Sequence, residues 1–210
     1  MKKELHEMSV REYDEHCEQI MSQFLDKYFY NAINPTSFER VQDKERQVKG
    51  IDVVMEINDK IYSIDEKAAI RYTNGLKTFA LELSFLNRKG ILQEGWLTDE
   101  RKVNDYFVFV WINKIENILI RDISSLKDID VALVSKNKIM EHLESIGWTK
   151  DKLKTKDNQI RNENDTNFGN INTNGCKFSY SDRLFEKPIN ILLPKETYIN
   201  IAEIYKNIKN

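Results

Sequence analysis

Three residues in one short stretch could do chemistry together: Asp52, Asp65 and Lys67. They lie in IDVVMEI (51–57) and KIYSIDEKAA (60–69), two runs rich in β-branched residues on either side of Asn58-Asp59. That pattern predicts a β-hairpin, and both turn residues tolerate a positive φ. With the turn centred on Asn58-Asp59, Ile57 opposes Lys60 and Asp52 falls opposite Asp65. Directly opposed residues of antiparallel strands share a face, with Cβ atoms roughly 4.5–5.5 Å apart. Two carboxylates held so repel one another unless a cation offsets them. Hard oxygen ligands from one or two carboxylates are the usual protein contribution to a Mg²⁺ site. Lys67, two residues beyond Asp65, projects from the same face. Glu66 points to the other face, while its backbone carbonyl remains a further oxygen for a metal.

Other residues compete for a role. Glu82 interrupts the apolar run FALELSF. If that strand adjoins the hairpin, Glu82 supplies a third carboxylate or positions a water; otherwise it sits on the solvated face of an alternating strand. Gln47, three residues before Gly50, either contacts the reacting region or caps a strand end, and the structural role is the expected one. Lys102, Lys89, Arg88 and Arg71 form a basic rim over the site or simply face solvent. Trp96 follows Gly95 in an expected loop and could contact a ligand. His6, His16 and His142 have no metal-ligand spacing with each other or with Cys17 and Cys176. Cys17 falls on an apolar helix face and reads as a core thiol. No G-x-x-x-x-G-K-[ST] or G-x-G-x-x-G occurs, so a P-loop motor or a Rossmann site is not indicated.

The elements that must position these residues follow from periodicity. Tyr13, Cys17, Ile20, Met21, Phe24 and Tyr28 recur at helical spacing and predict a helix near 10–30, with Ser9 and Glu12 as a capping box. Residues 38–50 read as a charged connector. Strands are expected at 78–86 and 106–112; YFVFVWI is apolar throughout, as a strand buried on both faces should be. Short strands are expected in ENILIRDI (116–123) and DIDVALV (128–134), and a helix at 137–146 with Gly147 just beyond it. The stretch 150–175 is polar and Asn-rich, and reads as a mobile loop outside the core. Strands at 177–181 and 189–193 and a closing helix at 196–208 complete a single mixed α/β domain.

Gly50-Ile51-Asp52, the hairpin, and Asp65-Glu66-Lys67 together resemble the PD-(D/E)XK phosphodiesterase superfamily, the restriction-endonuclease-like fold. The motif covers 50–68, and the succession of elements extends a looser resemblance over 10–115. RVQDKERQVKGIDVV, IDEKAA, TFALELSFL and GWLTDERKVNDYFVFVW are also similar to a group of phage and plasmid proteins. The resemblance implies a central mixed sheet flanked by helices, Mg²⁺ or Mn²⁺ as cofactor, and hydrolysis of phosphodiester bonds to leave a 5′-phosphate. It implies Asp52, Asp65 and Lys67 as catalytic residues and Asp52, Asp65 and the Glu66 carbonyl as metal ligands. The superfamily sometimes places another acid on the first helix, where Asp14 and Glu18 stand, although helix acids are more often solvated. The superfamily's proline before the first acid is absent, and Ile51 occupies its place. On superfamily grounds the partner is nucleic acid, DNA before RNA, and a homodimer is compatible with the family. The competing reading is a non-catalytic module on the same fold that holds nucleic acid or protein.

Composition bounds these readings. The chain has 210 residues, 32 Lys+Arg against 34 Asp+Glu, and a net charge of −2, so it does not hold nucleic acid by bulk charge; affinity must come from a local basic surface. Two isolated cysteines support neither a disulfide scaffold nor a zinc ribbon. No apolar run is long enough to span a membrane. The segment MKKELHEMSV lacks an apolar signal core, so a cytoplasmic location is expected.

Overall fold

A computed structural model describes residues 9–163 and 175–210. Two sheets form a single mixed α/β domain with two hydrophobic cores. Helix α1 (Val10–Phe24) starts at a capping box: Ser9 Oγ accepts from the Glu12 N–H, and Glu12 accepts from the Ser9 N–H. It runs on through a π-helical segment (Leu25–Tyr30) and α2 (Asn31–Ile33). Asn34 then turns left-handed at φ 56°, and Pro35 prevents continuation. The connector expected at 38–50 instead holds β1 (Ser37–Arg40) and α3 (Lys44–Val48), the latter capped by Asp43.

Strands β2 (Val53–Ile57) and β3 (Lys60–Ala68) form the expected hairpin. Next come β4 (Thr78–Leu86), β5 (Leu92–Glu94), β6 (Tyr106–Ile115) and β7 (Leu126–Ser135). They are followed by α4 (Lys136–Ser145), α5 (Lys150–Glu163), β8 (Lys177–Tyr180), β9 (Ile189–Pro194), α6 (Lys195–Ile201) and β10 (Ile204–Lys209). The larger sheet has the order β1-β2-β3-β6-β7-β10, and β3–β6 is its parallel pair. A parallel pair needs a long crossover. Here β4 and β5 lie in that crossover, and they build a second sheet of order β5-β4-β9-β8.

Side chains of β6 alternate between two cores, which explains its apolar run. Tyr106, Val108, Val110 and Ile112 face α1 and the π-helical segment. Phe107, Phe109 and Trp111 face the second sheet and α4, α5 and α6. Cys17 and Cys176 are buried free thiols.

The mixed α/β class is as expected, with α1 and the π-helical segment on one face of the main sheet and the second sheet with α4, α5 and α6 on the other. Several finer expectations are corrected. Residues 116–122 are bends and irregular backbone leading into a 3₁₀ helix (Ile123–Ser125), not a strand. Residues 150–163 are helical because Leu153, Asp157 and Ile160 recur at helical spacing and are buried, the two apolar side chains in the second core. The rest of the expected mobile stretch, 164–174, lies outside the described residues. The closing helix at 196–208 divides into α6 and β10, since IYKNIK alternates with period two and pairs along β7. No helix among the described residues is long and apolar enough to cross a membrane.

Candidate active site

The hairpin turns on Asn58 and Asp59, at φ 49° and 63°. Left-handed conformation at both central residues matches the twist of the strands. Pairing runs from Ile57–Lys60 to Val53–Ile64. The ladder slips at Asp52, whose N–H donates to Ile64 O at 2.8 Å and whose carbonyl accepts from the Val41 N–H, so the expected opposition of Asp52 and Asp65 gives way to a bulge-like bend that still leaves the Asp52 carboxylate beside that of Asp65. Ile64 lies in the core beneath α1, so alternation sends Asp65 and Lys67 to the face turned towards the second sheet.

Asp65 is 3 % exposed. Its Oδ1 accepts from the Lys67 ammonium, which also lies 5.4 Å from the Trp96 ring centroid. Burial pushes the Asp65 carboxyl up to about 6; Lys67 opposes the shift and neighbouring Asp52 adds to it. Asp52 Oδ2 accepts the Glu66 N–H at 2.8 Å. A strand residue's N–H and C=O point towards the same neighbour, so the Glu66 carbonyl is directed to the side of Asp52. The Glu66 side chain lies on the opposite face, as expected. It accepts from Tyr30 Oη at 2.9 Å and from Arg40 at 2.9 and 3.1 Å. Burial raises its carboxyl, while Arg40 and Tyr30 pull it down.

Glu82 is not on a strand hydrogen-bonded to the hairpin, because β4 belongs to the second sheet. It nevertheless faces the site electrostatically: burial raises its carboxyl and the Lys67 charge is the main opposing influence. Glu18, on the exposed side of α1, has its carboxyl raised by desolvation and then by Asp14, Glu15 and Asp52, with Lys67 acting against them. Gln47 donates its amide to Val41 O at 3.0 Å and serves the loop. Of the expected basic rim, Arg71 pairs with Asp14, whereas Lys102 lies beside Gly50 and donates to Val48 O. Trp96 stacks on Phe107 and is a wall of the site more than an exposed platform.

Two neighbours escaped the sequence. Asn104 is 3 % exposed, donates to Tyr106 O at 3.0 Å, and leaves its side-chain oxygen with no hydrogen-bond partner. Lys136, half-buried at the start of α4, donates to Lys102 O; burial lowers it and Asp65 is the main influence against that. Both sit at strand ends, with no spacing that ties them to the hairpin; an isolated polar residue before an apolar strand was the one signal. Gly50 adopts φ 80°. A Cβ there would stand 3.0 Å from Asn104 Oδ1, 3.2 Å from Lys102 Cδ and 3.5 Å from Asp65 Oδ2. Glycine therefore lets the backbone approach those oxygens closely.

Among the described residues, no three His, Cys, Asp or Glu side chains gather into a cage for a metal. A cavity of about 260 Å³ bordered by Lys60, Asn104 and Lys136 adjoins these neighbours of the site, and one of about 240 Å³ bordered by Ser84 and Asp157 lies apart from them. No known protein family, curated protein or solved structure matches this chain.

Proposed function

We propose that this chain is a divalent-cation-dependent phosphodiesterase acting on nucleic acid, with DNA as its substrate class. The observation that carries the reading is the closeness of the Asp52 carboxylate to buried Asp65 at the end of the hairpin, with Lys67 paired to Asp65. The donor set suits a hard cation: two neighbouring carboxylates, a backbone carbonyl directed alongside, and the Gly50 backbone close to Asp65 Oδ2 with no side chain to cover it. Asp52, Asp65 and the Glu66 carbonyl would hold Mg²⁺ or Mn²⁺. When bound, the cation polarises a phosphoryl oxygen and acidifies a water.

Lys67 is the group that acts on the water. In the absence of metal its ammonium neutralises Asp65. Once released from Asp65, it orients the attacking water and offsets charge growing on the phosphoryl oxygens. The Trp96 ring lies beside the ammonium, at 5.4 Å from its centroid. Lys102 and Lys136, both close to Asp65, supply local positive charge that the whole chain lacks.

The test is cleavage of plasmid, single-stranded DNA and RNA with Mg²⁺, Mn²⁺ or chelator. Wild type should cut DNA only with metal, and Asp65→Ala and Lys67→Ala should each be slower by at least roughly 10². Cleavage indifferent to chelator, or an Asp65→Ala protein that cuts normally, overturns the proposal. A wild type inert on every substrate overturns it in favour of a binding module.

A further inference from the structure

We infer that Asn104 is a third side-chain ligand of the cation site, giving its amide oxygen beside Asp65. The inference rests on the proposed metal-dependent reading and adds a residue to which neither the hairpin motif nor its resemblance assigns a role.

Buried polar atoms in folded proteins almost always have a partner, and an exception calls for a physical cause. Asn104 Oδ1 is such an exception: buried and without a hydrogen-bond partner. Its orientation is fixed, because Nδ2 donates to Tyr106 O at 3.0 Å and a flipped amide would set oxygen against oxygen. The oxygen is thus held in one direction, beside Gly50, and it and Asp65 Oδ2 lie 3.0 and 3.5 Å from the point where a Cβ on Gly50 would stand.

What could bridge the two oxygens is decided by charge. Both of them only accept when Asp65 is ionised. The nearest cationic side chain, Lys102, presents only Cδ there, with its ammonium on Val48 O. Lys67 binds the other oxygen of Asp65, and Lys136 donates to Lys102 O. A small hard cation satisfies converging oxygens of this kind, and amide oxygens are accepted ligands for Mg²⁺-like and Ca²⁺-like ions. A third ligand of amide type also reconciles a metal site with the absence of an acidic or imidazole triad among the described residues.

Mn²⁺ titrated calorimetrically without nucleic acid tests this, using wild type, Asn104→Ala, Asn104→Asp and Asp65→Asn. Losing even an outer-shell partner weakens metal sites by about 10–100-fold, so Asn104→Ala should bind Mn²⁺ at least about tenfold more weakly. Asn104→Asp, which keeps an oxygen, should bind at least as tightly as wild type. In ¹⁵N-labelled wild type, saturating Mg²⁺ should shift the Asn104 side-chain amide signal, an arm independent of whether the alanine variant folds. Wild-type affinity in Asn104→Ala, or an unmoved amide signal, with binding lost in Asp65→Asn, overturns the role of Asn104 and leaves the proposed function standing. Absence of saturable Mn²⁺ binding by wild type overturns both.

Discussion

Replacing Asp65 by asparagine should stabilise the metal-free protein at neutral pH. The folded-state value of about 6 lies above the ordinary 3.8, so folding favours the protonated carboxyl. The wild type is therefore unpenalised below pH about 4 and loses stability as pH rises through about 6. A carboxyl raised from 3.8 to about 6 costs about 3 kcal/mol at pH 7 and above. Asp65 is 3 % exposed, so solvent screening takes little from this figure. The attraction of Lys67 is already contained in it, because the raised value is what remains after Lys67 has opposed burial. Asparagine mimics the neutral carboxyl and escapes the penalty. For a chain of this size that is roughly 6–12 °C in melting temperature. The assay is thermal melting in chelator from pH 4 to 8 for wild type and Asp65→Asn. The two should coincide near pH 4 and diverge by pH 7, and Mg²⁺ at about 100 times its dissociation constant should return about 2.7 kcal/mol to the wild type alone. A difference that is constant across this pH range, or equal stabilisation of both proteins by Mg²⁺, would refute the reasoning.

Arg40→Met should destabilise by about 3–5 kcal/mol, since it strands the Glu66 carboxylate in the core beneath α1; the loss should shrink on acidification, as Glu66 takes up a proton, and urea unfolding at pH 5 and pH 7.5 reads both. Leu153→Ala should cost about 2–5 kcal/mol if α5 packs as described, whereas a change within about 0.5 kcal/mol would place that helix outside the core. Gly50→Ala should lose about 1–2 kcal/mol from its left-handed backbone alone, with a further loss from contact with Asn104 and Lys102; equal chemical-denaturation midpoints for this variant and wild type would contradict the geometry.

The hairpin was legible in the sequence because everything that sets it is local. Alternation marks the strands, Asn58-Asp59 marks the turn, and counting from it gives the register as far as Val53–Ile64; the slip at Asp52, where the N–H donates to Ile64 O, is not in the count. The two-sided burial of β6 was equally legible, since an unbroken apolar run leaves no polar face for solvent. Composition misleads where period decides. Residues 150–163 are polar on average, yet Leu153 and Ile160 give one helical stripe. IYKNIK follows a helix in the chain, yet β7 offers an edge that its two-residue alternation fits. The surroundings of the site belonged to tertiary structure. That β4 leaves the hairpin's sheet is decided by the β3–β6 parallel pairing, which fills the slot beside β3 with a strand from much later in the chain. The same pairing carries Asn104, immediately ahead of β6, to the open end of β3 beside Gly50 and Asp65. No spacing in a linear sequence encodes that approach, because it depends on which distant segments bury their apolar faces against one another.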